Sequence, residues 1–317
     1  APKRGKTEFK EGQTYSLVIE YKWEGRFPAV QIGMQAPDQH DLMEEATSLA
    51  KEADAVILIA GTNSDWETEG NDRASLDLPS NQDELIEKVC NLNKNTVVVL
   101  NTGSPCEMPW VDKANSILQC WFPGQEFGNS LSDVLFGEVN PSGKLPTTFP
   151  KNLSDTPAYS TYPGKDLQMD YEEGLYIGYR WYDREEIEPL FAFGHGLSYT
   201  TFEYSNLRAV PPKGTSSVAA FELDITNSGD VFGKEIVQGY VKVSESKIDR
   251  PIKELKKFEK VSLKPGESKK ITFELTERDL SFWSETNQSW QVEPAEYIFE
   301  VGASAIDIKE STSVWLG

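Results

Sequence analysis

Six apolar residues in unbroken succession, Ala55-Val56-Ile57-Leu58-Ile59-Ala60, stop at Gly61. A run this short, without polar alternation, reads as a strand covered on both faces, as strands of parallel sheets are. The pattern recurs at Thr96–Leu100, ended by Asn101-Thr102-Gly103, and at Ser116–Phe122, ended by Pro123-Gly124. Around these runs the period becomes helical. Asp41–Ala53 carries Leu42, Met43, Ala46, Leu49, Ala50 and Ala53 at helical spacing, and Phe127–Phe136 is amphipathic. Ser80 followed by Asp83 has the form of a capping box opening a helix over Asp83–Leu92. Strands alternating with helices at this spacing define βαβ units and a parallel sheet, an α/β sandwich. Such sheets bind ligands beyond the carboxyl ends of their strands, so the loops after Ala60, Leu100 and Phe122 are the candidate site.

The period changes again downstream. Phe221, Leu223 and Ile225 alternate with polar residues, as do Val237 to Val243, Ile271 to Leu275, and Tyr297 to Val301. Turn signals such as Asn227-Ser228-Gly229-Asp230 and Lys264-Pro265-Gly266-Glu267 separate them, which describes a small antiparallel all-β sandwich. Residues 151–204 are rich in Tyr, Gly and Pro with little periodicity, and so many aromatics indicate an extended connector packed on its neighbours rather than a free linker. Residues 7–35 read as two strands, Thr14–Tyr21 and Ala29–Met34. Two strands are not independently stable, so they are expected to be the end of a larger β-module. The expected organisation is therefore 1–36, 37–150, 151–204 and 205–317.

Charge narrows the partners. With 31 basic and 51 acidic side chains the balance is −20, which argues against nucleic acid and against an anionic membrane surface. No stretch approaches the roughly 18 consecutive apolar residues of a membrane-spanning helix. Cys90, Cys106 and Cys120 form neither a disulfide framework nor a zinc motif and read as small core residues. His40 and His195 are the only histidines, so a metal site or triad built on His is poorly supplied. No metal or cofactor is called for. Asn152-Leu153-Ser154 and Asn287-Gln288-Ser289 fit the glycosylation sequon and hint at secretion. The first residues, Ala1-Pro2-Lys3-Arg4-Gly5-Lys6, lack both Met and an apolar leader, so the chain is expected to be a piece with something upstream.

The chemistry concentrates after the first sheet strand. From Asp65 to Arg73 four carboxylates (Asp65, Glu67, Glu69, Asp72) and one guanidinium crowd together. Carboxylates that close raise one another's affinity for protons, and a carboxylic acid kept protonated near neutrality is what general acid catalysis needs. A solvated acidic loop, or carboxylates capping the next helix, fits the same residues. Three rival motifs fail. The twelfth position of a calcium loop counted from Asp65 is Leu76, where a bidentate Glu is needed. Gly124 to Gly128 lacks the Lys of a phosphate-binding loop. Gly103-Ser104 lacks the second Gly of a nucleophile elbow, and neither His is placed to serve Ser104.

The same loop, Trp66-Glu67-Thr68-Glu69-Gly70-Asn71-Asp72-Arg73, followed by Leu76-Asp77-Leu78-Pro79, resembles the C-terminal half of glycoside hydrolase family 3, chiefly its β-glucosidases. The resemblance continues through Trp121-Phe122-Pro123-Gly124-Gln125-Glu126, Asn140-Pro141-Ser142-Gly143-Lys144-Leu145-Pro146 and Phe193-Gly194-His195-Gly196-Leu197-Ser198-Tyr199. Beyond residue 205 the chain is similar to that family's fibronectin type III-like domain. Residues 7–35 resemble the last strands of a protective-antigen-type β-module inserted in some members.

The resemblance implies a retaining, exo-acting β-glucosidase. Its nucleophile would be an Asp on an N-terminal (β/α)8 barrel outside these residues, supplied by a barrel-bearing partner piece. The general acid/base would be a Glu of the loop found here: Glu69, because Glu-Gly followed by Asp-Arg matches the family pattern, with Glu67 the runner-up. Trp66 and Glu67 are candidates for substrate contact, with Trp66 either stacked on a sugar or packed in the core, and Asp72 and Arg73 are expected to brace the loop by a salt bridge. A β-xylosidase or xyloglucan-oligosaccharide exo-hydrolase on the same scaffold is an alternative, as is a non-catalytic carbohydrate-binding homologue. The oligomeric state stays open.

Overall fold

The computed structural model describes residues 7–22, 32–33, 41–70 and 72–317. Thr14–Tyr21 does not form the expected strand: it has no regular structure, and Leu17 and Val18 are exposed. A strand needs a neighbour to take its backbone hydrogen bonds, and no described residue pairs with this one. Ala29–Met34 lies outside the described residues except for two positions, and His40 lies outside them altogether.

The α/β part runs helix α1 (Leu42–Glu52), strand β1 (Val56–Gly61), helix α2 (Gln82–Leu92), strand β2 (Thr96–Asn101), strand β3 (Ser116–Gln119) and helix α3 (Phe127–Leu135). The three strands are parallel in the order β1-β2-β3, in register from Val56 opposite Thr96 to Gly61 opposite Asn101. Val98, Val99 and Leu100 of the central strand are fully buried, and Val98 and Leu100 pack with Ile86, Val89 and Cys90 of α2, Cys106 and Trp110. β1 departs from the expectation of burial on both faces. Leu58 and Ala60 face the core, whereas Ile57 and Ile59 are about half exposed, because β1 is the edge strand here. β3 stops at Gln119 rather than Phe122, since Trp121 adopts a left-handed backbone (φ +57°) that no strand continues through. The expected Ser80–Asp83 capping box is not formed either. Ser80 sits at φ +60°, outside the extended region an N-cap occupies, and Asn81 precedes the helix instead. The Asp83 carboxylate accepts from Trp110 Nε1 at 2.7 Å and from the Leu78 amide at 3.2 Å, tying α2 to the core.

Residues 151–204 hold a short helix, α4 (Tyr179–Arg184). Lys253 pairs with Asp183 at 2.8 Å, and the Leu255 amide donates to the Tyr179 hydroxyl at 2.8 Å. The sandwich comprises β4 (Phe202–Val210), β5 (Ser217–Asn227), β6 (Gly233–Val243), β7 (Glu254–Leu263), β8 (Ser268–Thr276), the short helix α5 (Glu277–Leu280), hairpin strands β9 (Phe282–Ser284) and β10 (Ser289–Gln291), β11 (Ala295–Gly302) and β12 (Ile308–Leu316). One sheet is ordered β12-β11-β6-β7 and the other β4-β5-β8, all antiparallel. Alternate residues meet between the sheets, with Phe221 and Phe299 stacked at 4.2 Å. The α/β part and the sandwich are joined by buried polar contacts, chiefly Lys144 with Glu235. Among the described residues no helix is long and apolar enough to cross a membrane.

Candidate active site

The ends of β1 and β2 approach so closely that Gly61 tolerates no side chain: a Cβ there would lie 2.1 Å from the Asn101 carbonyl oxygen. Gln82 fixes this end, accepting from the Gly61 amide at 2.8 Å and donating to its carbonyl at 2.9 Å. The chain then turns sharply. The Asn63 carbonyl accepts from the amides of Trp66 (2.9 Å) and Glu67 (2.8 Å), while Asn63 Oδ1 takes the Asp65 amide at 2.9 Å. This one-turn reversal, of the kind Asn side chains favour, swings Glu67 back over the strand ends.

Glu67 is held on every side. Its Oε1 accepts from Thr62 Oγ1 at 2.5 Å and from the Gly103 amide at 3.1 Å, and its Oε2 accepts from Ser104 Oγ at 3.1 Å. Arg73 Nη1 lies 3.9 Å from Oε1 and donates to Ser104 Oγ at 2.8 Å and to the Pro105 carbonyl at 3.3 Å, with Nη2 reaching the Asp77 carbonyl at 3.4 Å. Both side chains are largely buried. Gly103 completes the nest, because a Cβ would strike the Phe122 ring at 2.5 Å and Glu67 Oε2 at 2.6 Å.

Glu69 has the opposite environment. It is exposed, and among the described residues its carboxylate makes no hydrogen bond or ion pair. Trp66 beside it is also exposed, which removes the alternative of a packed core residue. The expected Asp72–Arg73 salt bridge is absent. Arg73 turns inward to Glu67 and Ser104, where both charges shed water together, while Asp72 stays exposed against the Tyr162 hydroxyl and raises that phenol's pKa. The ionic partner of Arg73 is Glu67 rather than Asp72.

Other residues singled out in the sequence lie elsewhere. His195 stacks on Phe191 at 5.2 Å, and burial lowers its pKa. The Cys106 thiol is pushed up to about 12 by burial, and Cys90 is buried too. Asn152 and Asn287 are exposed, each with its side-chain amide bonded locally, to Asp155 and Gln291. Among the described residues no group of three or more His, Cys, Asp or Glu is placed to hold a metal. Sequence reasoning passed over Thr62 and Gln82, and weighed Ser104 only as a nucleophile. The available signal was positional: polar residues at the carboxyl ends of the apolar runs.

An open carboxylate on a loop buttressed beyond a parallel sheet, with a β-sandwich following, has the layout of the C-terminal half of a multidomain glycoside hydrolase. The comparisons agree. A model of the glycosyl hydrolase family 3 C-terminal domain matches residues 6–199, and a fibronectin type III-like domain matches residues 235–305. The chain is similar to thermostable beta-glucosidase B of Acetivibrio thermocellus, 49% identical over 278 residues, covering 86% of this chain and 37% of that protein. It is 41% identical over 312 residues to a beta-glucosidase of Rhizobium radiobacter, covering 95% of this chain and 38% of the other. Among solved structures, beta-glucosidase from Kluyveromyces marxianus in complex with glucose superposes with a TM-score of 0.83 at 40% identity, covering 90% of this chain and 34% of that one. Beta-glucosidase 3B from Thermotoga neapolitana in complex with alpha-D-glucose gives 0.80 at 38% identity, covering 90% and 41%. The chain belongs to glycoside hydrolase family 3. It spans well under half the length of these relatives.

Proposed function

We propose that this chain is the acid/base-bearing part of a retaining, exo-acting β-glucosidase that releases non-reducing terminal β-D-glucosyl residues. Glu69 protonates the departing glycosidic oxygen and then deprotonates the incoming water. The nucleophile is an Asp on a barrel that lies outside these residues. Retention needs the two carboxyl groups about 5–5.5 Å apart, so the loop must present Glu69 across a domain interface. The observation that carries the reading is the contrast between the two glutamates. Glu67 has both oxygens committed to protein donors, whereas Glu69 is open to a ligand. A proton-transfer group needs a free oxygen within reach of the substrate. The exposed Trp66 offers an apolar face for a sugar ring. Exposure of Asn152 and Asn287 fits a secreted, glycosylated protein.

The test pairs this chain with its barrel-bearing portion. Glu69→Ala should lower turnover of cellobiose by about 10²–10⁴-fold, the usual contribution of general acid–base catalysis. Activated aryl β-glucosides should suffer less, since a good leaving group needs little protonation. Azide needs no general base, so it should restore turnover and yield a β-glycosyl azide. An unaffected Glu69→Ala enzyme would overturn the assignment.

A further inference from the structure

We infer that Glu67 is a positioning residue whose carboxylate, with Arg73 and Ser104, clamps the acid/base loop onto the loop after β2 and so sets where Glu69 stands. The inference rests on the reading of Glu69 as the acid/base. Three elements meet at one carboxylate: the end of β1 through Thr62, the loop after β2 through the Gly103 amide and Ser104 hydroxyl, and the far end of the acidic loop through Arg73. Ser104 Oγ accepts from Arg73 and donates to Glu67, so the contacts form a closed ring rather than separate pairs. Gly103 lets the loop after β2 come close enough to join it. Residues 67 and 73 bracket Glu69 and are both anchored, while among the described residues Glu69 itself makes no hydrogen bond or ion pair. Such an arrangement fixes a reactive group without consuming its hydrogen-bonding capacity. A displacement of about 1 Å at a reacting group can cost roughly 10²-fold in rate, which is the scale on which the clamp acts.

Two measurements test it. On the full chain, hydrogen exchange should show the Gly103 amide losing at least tenfold protection in Glu67→Ala. Glu67→Gln, which keeps an acceptor oxygen, should lose less, and Glu69→Ala should leave that amide unchanged. Unaltered protection of Gly103 in Glu67→Ala overturns the clamp, whatever the enzyme proves to do. In the barrel-bearing enzyme, Glu67→Ala should lower kcat by about 10–100-fold with KM within a few-fold, and the loss should be larger for poor leaving groups than for activated ones. Glu67→Gln should recover part of it. Azide should not rescue Glu67→Ala, because Glu69 remains. Equal losses for all leaving groups would make the role merely structural, and azide rescue of Glu67→Ala would make Glu67 the acid/base; either result overturns the inference. Should Glu69→Ala be fully active while Glu67→Ala still exposes Gly103, the catalytic reading fails and the clamp stands.

Discussion

Replacing Lys144 by Met would expose how firmly the α/β part is locked to the sandwich. Lys144 Nζ lies 3.1 Å from Glu235 Oε1 and donates to the Gly196 carbonyl at 2.7 Å. Tyr204 donates its hydroxyl to the same Glu235 oxygen at 3.0 Å, and its phenol pKa is raised by burial and by that carboxylate. The side chains of Lys144 and Glu235 are only 9% and 6% exposed, so water cannot replace a lost partner. Methionine keeps the stem and removes the charge, leaving Glu235 buried with one neutral donor. Breaking such a pair from one side costs about 3–5 kcal/mol. At about 2–4 °C per kcal/mol for a protein of this size, calorimetry of the full chain should show the midpoint falling by roughly 6–20 °C. Removing both charges in Lys144→Met/Glu235→Met should recover most of the loss, because a buried ion pair is worth little against apolar residues of similar volume. A fall of less than about 3 °C in the single variant, or a double variant no better than the single, would refute the reasoning.

Three other changes probe separate features. Burial first, then the Lys144 ammonium, depresses the His195 pKa, with Asp307 opposing. The unfolded chain therefore binds this proton first: the stability from neutral His195 is full above about pH 6.5 and is lost as pH falls through the lower folded value. His195→Asn should flatten the midpoint-against-pH curve between pH 7 and 5, and an unchanged slope would contradict the assignment. Gly61→Ala forces a Cβ against the Asn101 carbonyl, so denaturant titration should show a loss of at least about 1–3 kcal/mol unless the β1–β2 register gives way. Phe299→Ala empties the stack on Phe221 in the sandwich core and should cost about 3–5 kcal/mol by the same titration.

The fold was legible wherever periodicity carries it. Three apolar runs, ended by Gly61, Asn101 and Pro123, became the parallel strands, and the alternating runs after Phe202 became the two sheets of the sandwich. What failed depended on facts that periodicity does not hold. Ile57 and Ile59 belong to an apolar run whatever covers them, and only the sheet order shows β1 at the edge. Ser80 and Asp83 have the residue types of a capping box, but Trp110, 27 positions beyond Asp83, competes for that carboxylate and wins. A one-dimensional motif cannot register a competitor brought in by the fold.

The two glutamates show the same limit at the site. Glu67 and Glu69 sit two apart in a loop, where no helical or strand period assigns them to faces, so residue type alone leaves either one available for catalysis. What separates them is the turn at Asn63, which folds Glu67 under the loop, where Thr62, Gly103, Ser104 and Arg73 saturate it. A carboxylate whose two oxygens already accept from Thr62, Gly103 and Ser104 has no open oxygen to bring to a leaving group. Its neighbour Glu69, carried outward by the same turn, has both oxygens free of hydrogen bonds and ion pairs among the described residues. On the proposed reading the acidic crowding is a division of labour, with one carboxylate consumed in holding the loop so that the other need hold nothing.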